Sequence, residues 1–248
     1  MDRFRVFANL STLANALVGV GAILYTLAGN KSWAMLLIVC GIGFDGLDGL
    51  FSRRSLAPSS TFGRVADSVA DAVTFGLAPA ALLLVHTDNA SSWTPWSPWS
   101  EVVGAAFAAL AIARLVYFTL RGFEYPHFVG APTPQAALGV VTLGLLFDRP
   151  AFVGTNPLAL LAGGLVVALL MVVPLKFPKI RRGNPLRPVA TVTALALVAA
   201  LLPLQFRPGT DSFLYVLAFI ATLIAAAGIL FYYVGGPLTL RGSQKVHT

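Results

Sequence analysis

Charged residues are scarce in this chain: Asp, Glu, Lys and Arg make up only 11% of its 248 residues, whereas 57% are hydrophobic. Soluble domains typically carry about 25% charged residues, so this composition excludes that class and indicates an integral membrane protein. Cysteine is scarcer still, because Cys40 is the single one in the sequence. One cysteine excludes an intrachain disulfide, and its position in an apolar run indicates a packing role rather than redox chemistry.

Long apolar runs fill most of the chain, and a helix needs roughly 20 such residues to cross the hydrocarbon core. The runs cover residues 8–28, 32–51, 67–86, 102–119, 134–148, 157–174, 187–203 and 213–234. They predict an all-α polytopic membrane protein with about eight transmembrane helices. The fifth run is the shortest and follows the prolines of GAPTPQ, so a tilted or partial helix is the alternative there.

The basic residues define an orientation. Of the 17 lysines and arginines, only Lys31, Arg149 and Arg207 fall in outside segments if the N-terminus is inside; Arg114 falls within a span, and the other thirteen fall in inside segments. Lysine and arginine favour the cytoplasmic side, so the pattern predicts cytoplasmic N- and C-termini in the cell membrane. The net charge of +7 is explained by these loops and does not indicate nucleic acid binding.

Four of the ten acidic residues lie in the stretch DGLDGLFSRRSLAPSSTFGRVADSVAD, residues 45–71. Asp45 and Asp48 end the second predicted span, and Asp67 and Asp71 begin the third. Spacings of three and four residues put each pair on one helix face. Since the second span runs inward and the third returns, we expect the two pairs to face each other at the cytoplasmic boundary.

These carboxylates need partners, because an ionised carboxylate within a span costs about 3 kcal/mol on insertion scales. Oxygen ligands without nearby histidine or cysteine suit Mg²⁺ or Mn²⁺. Helix capping and ion pairing with Arg53, Arg54 and Arg64 is the structural alternative. An ion-coupled transporter is the functional one, although transport predicts acids near the bilayer midplane rather than at one edge.

Glycines and an arginine accompany the aspartates. Gly49 and Gly63 leave room for close approach of a ligand, and Arg53 offers a planar guanidinium to phosphate oxygens. Together with divalent metals, these residues describe a diphosphate site.

The stretch resembles the signature of the CDP-alcohol phosphotransferase family, D-x-x-D-G-x-x-A-R, eight or nine residues, then G-x-x-x-D-x-x-x-D. Seven of the eight fixed positions match; the eighth, the alanine of the signature, is Ser52 here. The resemblance implies transfer from a CDP-linked lipid to an alcohol hydroxyl with release of CMP, and two Mg²⁺ or Mn²⁺ ions. It implies metal binding by Asp45, Asp48, Asp67 and Asp71, with Asp71 also the general base. It implies a CDP site lined by Gly49, Ser52, Arg53 and Gly63.

The flanking sequence resembles the phosphatidylserine synthase branch of that family. FGRVADSVADAVTFGLAPA is similar to its F-G-x-x-L-D-S-L-A-D-x-x-S-F-G-x-A-P-A pattern, with Ala66, Val69 and Thr74 in place of Leu, Leu and Ser. NLSTLAN, with Asn9, Thr12 and Asn15, resembles its N-x-x-T-x-x-N. These polar side chains could reach nucleotide or phosphate, and interhelical hydrogen bonding is an equal alternative.

Two further segments bear on the acceptor alcohol. RLVYF and GAPTP resemble the branch's R-L-A-R-F-N and G-L-P-[ST]-P, but Tyr117 replaces an arginine and Thr119 an asparagine. Arg114, the basic residue within a span, is a candidate to bind serine's carboxylate or an acidic partner, with snorkelling as the alternative. Lys176 is a second acceptor candidate in a basic loop that orientation alone would explain.

The sequence therefore predicts a single membrane domain over residues 1–248, with a catalytic core at about 1–180 and accessory spans at about 187–234. The predicted acceptor is L-serine, and glycerol phosphate or an inositol phosphate is the alternative. The resemblance implies a homodimer, which small residues such as Gly163 and Gly164 would permit. Ester-linked diacylglycerol and ether-linked archaeal lipid both remain open as the lipid.

Overall fold

A computed structural model describes residues 3–54, 61–86, 94–95, 98–121, 127–147, 157–178, 186–205 and 213–244. These residues form eight helices: α1 Arg3–Leu27, α2 Lys31–Arg54, α3 Thr61–Leu84, α4 Pro98–Arg121, α5 Thr133–Phe147, α6 Pro157–Val172, α7 Arg187–Leu204 and α8 Phe213–Gln244. Four two-residue strands accompany them: β1 Val85–His86, β2 Thr94–Pro95, β3 Phe128–Val129 and β4 Lys176–Phe177. Each predicted apolar run coincides with one helix, so the all-α polytopic prediction is confirmed.

Among the described residues, five helices are long and apolar enough to cross a membrane: α1, α2, α3, α4 and α8. The apolar stretches of α5, α6 and α7 are shorter. At 1.5 Å per residue, the 15 residues of α5 extend about 22 Å, less than the roughly 30 Å of a hydrocarbon core. The number of spans and the cytoplasmic position of the termini, which lie outside the described residues, stay predictions.

The described chain divides into two compact units, residues 1–121 and 122–248. In the first unit, α1 and α2 form an antiparallel hairpin. Gly29 permits the turn with φ +77°, and its N–H donates to the carbonyl oxygen of Thr26 at 2.9 Å, which ends α1. Ring contacts fix the register: Tyr25 stacks on Trp33 near the turn, and Phe7 contacts Phe51 at the open end.

Helix α3 changes its hydrogen-bonding pattern midway. It is α-helical over Thr61–Asp71, π-helical over Ala72–Leu77 and α-helical again over Ala78–Leu84. Thr74, in the π-helical segment, is fully buried against two glycines, because a Cβ added at Gly19 or Gly41 would overlap its side chain. The small residues of α1 and α2 therefore let α3 approach both helices closely.

The second unit packs α5 against α6 and α7 against α8, with β3 and β4 paired antiparallel. Phe177 and Tyr232 stack in its core. Gly130 has φ +77°, and a Cβ there would overlap the carbonyl oxygen of Met171. Gly163 packs against Leu143 within this unit, so its small size has an intrachain reason. A single domain over 1–248 stays a prediction.

Candidate active site

Three aspartates from two helices meet in the first unit. One carboxylate oxygen from each of Asp45, Asp67 and Asp71 lies within 4.8 Å of the others. The hairpin register sets the end of α2, with Asp45, beside the start of α1, and α3 runs back along both helices. Asp67 and Asp71 are one helical turn apart, so a single face of α3 presents both.

The fourth aspartate of the motif lies beside this cluster. The Asp48 and Asp67 carboxyl groups are within hydrogen-bonding reach of each other. Asp48 is half-buried, and the Thr12 side chain on α1 also reaches it. The structure therefore brings all four predicted metal-binding residues into one acidic cluster.

A divalent cation suits this cluster chemically. Ionised carboxylates whose oxygens lie within 4.8 Å of one another repel by about 3 kcal/mol per pair at an effective dielectric of about 20. In addition, Oδ1 of Asp67 is buried and has no hydrogen-bond partner among the described residues. A buried acceptor without a donor is costly. Hard oxygen donors with an unfilled acceptor fit Mg²⁺ or Mn²⁺.

Arg53 supplies positive charge near the cluster. A Cβ at position 49 would lie 3.2 Å from Nη1 of Arg53, so the guanidinium folds back over Gly49. It is near enough to attract the Asp45 carboxylate electrostatically. Ser52 and Arg53 are exposed at the end of α2, and Gly63 lies in the first turn of α3. These predicted nucleotide residues thus lie at the two helix ends that carry the aspartates.

The three polar residues of NLSTLAN have different environments. Asn9 is exposed on α1. The Thr12 hydroxyl lies 3.2 Å from the carbonyl oxygen of Ala8, besides its reach to Asp48. Asn15 is fully buried, and its Nδ2 donates to Oδ1 of Asp71 at 2.9 Å. The sequence pattern predicts that the Asn15 side chain reaches nucleotide or phosphate, with interhelical hydrogen bonding as the alternative, and its contact with Asp71 is such a hydrogen bond between α1 and α3.

The two acceptor candidates lie in different units. Arg114 on α4 is buried, with 7% of its surface exposed, which is unlike an arginine that snorkels to the interface. Lys176 is exposed in β4 of the second unit. Next to Asp67, Ser68 on α3 and Thr119 on α4 hydrogen-bond through their hydroxyl oxygens at 2.6 Å. Acceptor binding by Arg114 and Lys176 stays a prediction.

Known proteins resemble this chain over the same region. A family model described as CDP-alcohol phosphatidyltransferase matches residues 5–177. A CDP-diacylglycerol–serine O-phosphatidyltransferase of Helicobacter pylori is 30% identical over 178 residues, covering 71% of this chain and 73% of the relative. The protein of that name from Bacillus subtilis is 31% identical over 171 residues, covering 69% and 89%. An archaetidylserine synthase of Methanothermobacter thermautotrophicus is 26% identical over 178 residues, covering 71% of each chain.

Proposed function

The chain belongs to the CDP-alcohol phosphatidyltransferase family, as its aspartate motif predicts, and on that premise we propose that it transfers a phosphatidyl-type group from a CDP-linked lipid to L-serine. The family makes it a membrane-bound transferase of phospholipid biosynthesis and argues against the ion-coupled transporter. The observation that carries the proposal is the meeting of Asp45, Asp67 and Asp71 within 4.8 Å, inside the region that the family model matches.

The reaction is a displacement at phosphorus. The serine hydroxyl oxygen attacks the phosphorus atom that carries the lipid, and the bond from that atom to the oxygen bridging the two phosphates breaks. CMP leaves with the bridging oxygen. The Asp71 carboxylate takes the hydroxyl proton as general base. Two Mg²⁺ or Mn²⁺ ions, when bound, neutralise the diphosphate and the leaving phosphate.

The aspartates and the residues around them have two proposed roles, metal binding and nucleotide binding. Asp45, Asp48, Asp67 and Asp71 would hold the ions, since hard oxygen ligands are what these cations prefer. The Arg53 guanidinium, already folded over Gly49, would bind phosphate oxygens. Ser52 and Gly63 would line the nucleotide pocket, and Thr12 and Asn9 would bind phosphate from α1.

Serine is favoured as the acceptor because two relatives carry serine in their names and the third is an archaetidylserine synthase. The buried guanidinium of Arg114 would bind serine's carboxylate, with Lys176 as the second candidate. Relatives named for diacylglycerol and for archaetidylserine match over similar shares of this chain, so the proposed lipid is the class of CDP-linked lipids.

The same proposal covers location and assembly. We infer that the enzyme lies in the cell membrane with its active site facing the cytoplasm, because the basic residues flank the aspartate-bearing ends of α2 and α3. Membrane lipids surround its exposed apolar helix faces. A homodimer stays a prediction from the family resemblance.

A CMP-release assay tests the proposal. Purified protein is incubated with CDP-diacylglycerol or CDP-archaeol, Mn²⁺, and one acceptor at a time: L-serine, glycerol phosphate or inositol phosphate. We expect CMP release that requires the metal and L-serine. Glu101→Gln, which changes an exposed carboxylate in the first turn of α4, is the control for loss of charge alone.

The acceptors separate the competing interpretations. No CMP with any acceptor would overturn the enzymatic proposal. CMP release with glycerol phosphate or inositol phosphate but not with serine would keep the family chemistry and overturn the choice of serine.

A further inference from the structure

Asn15 connects α1 to the proposed general base. Its side chain is fully buried, and its amide Nδ2 donates to Oδ1 of Asp71 at 2.9 Å. A buried amide must find partners, because leaving it without hydrogen bonds is costly. The Asn15 amide is a neutral donor, so it can orient the Asp71 carboxylate without competing with a bound cation.

Thr74 holds Asn15 in turn. The Thr74 hydroxyl donates to the backbone carbonyl oxygen of Asn15 at 2.7 Å, and both residues are fully buried. Thr74 fits between Gly19 and Gly41, where any Cβ would overlap it. The hydrogen bond therefore ties the backbone of α1 at Asn15 to α3 three residues beyond Asp71.

The backbone of α3 changes its hydrogen-bonding pattern next to the residues that contact Asn15. The helix turns from α-helical to π-helical directly after Asp71, and Asp71 makes no side-chain cap at that junction. Widened turns of this kind often occur at functional sites. At this junction Asp71 keeps right-handed helical dihedrals, φ −64° and ψ −38°, and its carboxylate receives the Asn15 hydrogen bond from another helix.

We propose that Asn15 and Thr74 are positioning residues for Asp71. The Asn15 amide holds Oδ1, which fixes the rotation of the carboxylate and leaves its other oxygen for the metal and for the serine proton. Thr74 fixes the position of Asn15. This inference rests on the proposed function, in which Asp71 is a metal ligand and the general base.

Matched variants separate positioning from packing. Thr74→Val keeps the shape of the side chain but removes the hydroxyl, and Thr74→Ser keeps the hydroxyl. Asn15→Ala removes the amide. Thr26→Val is the control, because Thr26 is equally buried on α1 and its hydroxyl hydrogen-bonds to the carbonyl oxygen of Ala22 at 2.8 Å, near the opposite end of the helix.

Three measurements are made on the full chain: Mn²⁺ binding by electron paramagnetic resonance, kcat and KM for CMP release, and thermal unfolding. Groups that orient metal ligands contribute about 10- to 100-fold to metal affinity or activity. We expect Asn15→Ala and Thr74→Val to weaken Mn²⁺ binding and to lower kcat by about tenfold or more, with KM for the CDP-lipid within about threefold. Thr74→Ser and Thr26→Val should bind Mn²⁺ with nearly wild-type affinity.

Two different failures can be told apart. Wild-type Mn²⁺ affinity and kcat in Thr74→Val, with only a lower unfolding temperature, would overturn the inference and leave a packing contact. If Asn15→Ala does not fold, the comparison of Thr74→Val with Thr74→Ser decides. Absence of Mn²⁺ binding by the wild-type protein would overturn the proposed metal site and the inference with it, whereas unchanged binding in the variants would overturn the inference alone.

Discussion

Asp45→Asn should stabilise the metal-free protein. The substitution keeps the shape of the side chain and removes one charge from two of the three carboxylate pairs that lie within 4.8 Å. Each pair repels by about 3 kcal/mol at an effective dielectric of about 20. Asp45 is only partly buried, and screening by solvent reduces the expected gain to about 1–2 kcal/mol.

Metal should reverse the order of stability. A ligand at 100 times its Kd stabilises the folded state by about 2.7 kcal/mol. Mn²⁺ should therefore raise the unfolding temperature of the wild-type protein above that of Asp45→Asn, which lacks one of the proposed ligands. Without metal, the variant should unfold at the higher temperature.

Thermal unfolding of detergent-purified protein tests this reversal, first with a chelator and then along an Mn²⁺ titration. Glu101→Gln serves as the control and should show the wild-type response to Mn²⁺, because Glu101 is exposed on α4. Lower stability of metal-free Asp45→Asn would refute the reasoning, since it would mean that protein groups such as Arg53 already neutralise the cluster. An undiminished Mn²⁺ response in the variant would exclude Asp45 as a ligand.

Three other substitutions test separate parts of the site. Asp71→Asn should abolish CMP release while largely sparing CDP-lipid binding; wild-type turnover would exclude Asp71 as the general base. Gly41→Ala should lower the free energy of unfolding by about 1–3 kcal/mol, because its Cβ would overlap Thr74. Gly43→Ala is in the same helix, where an added Cβ would meet no other part of the described chain within 4 Å. It should stay within about 1 kcal/mol of wild type, and equal losses in the two variants would contradict the packing argument. Arg53→Lys should raise KM for the CDP-lipid about tenfold, because an ammonium lacks the planar pair of donors; an unchanged KM would exclude the guanidinium from the diphosphate site.

Helix geometry explains why the acidic cluster could be predicted from the sequence. The spacings within Asp45–Asp48 and Asp67–Asp71 fix which side chains share a face. Only residues 55–60 separate α2 from α3 in the sequence, so the end of α2 and the start of α3 are expected to lie side by side. The resemblance to the family depends on the same spacings, and the match over residues 5–177 confirms it.

Asn15 and Thr74 could not be assigned in the same way. Their contact joins residues 59 positions apart and depends on the close approach that Gly19 and Gly41 permit. A sequence pattern indicates that Asn15 is polar within a span, but both phosphate binding and helix–helix hydrogen bonding satisfy that observation. The contact with Asp71 distinguishes it from Asn9, which is exposed although it belongs to the same pattern.

Thr119, one of the two departures from the branch pattern, makes a contact beside the site. Its hydroxyl donates to the carbonyl oxygen of Leu115 at 2.8 Å, so the proton in the 2.6 Å contact with Ser68 comes from the serine. Thr119 thus links α4 to Ser68, the residue that follows Asp67. Tyr117, the other departure, is exposed. Neither departure changes one of the four aspartates, and acceptor binding by Arg114 stays a prediction.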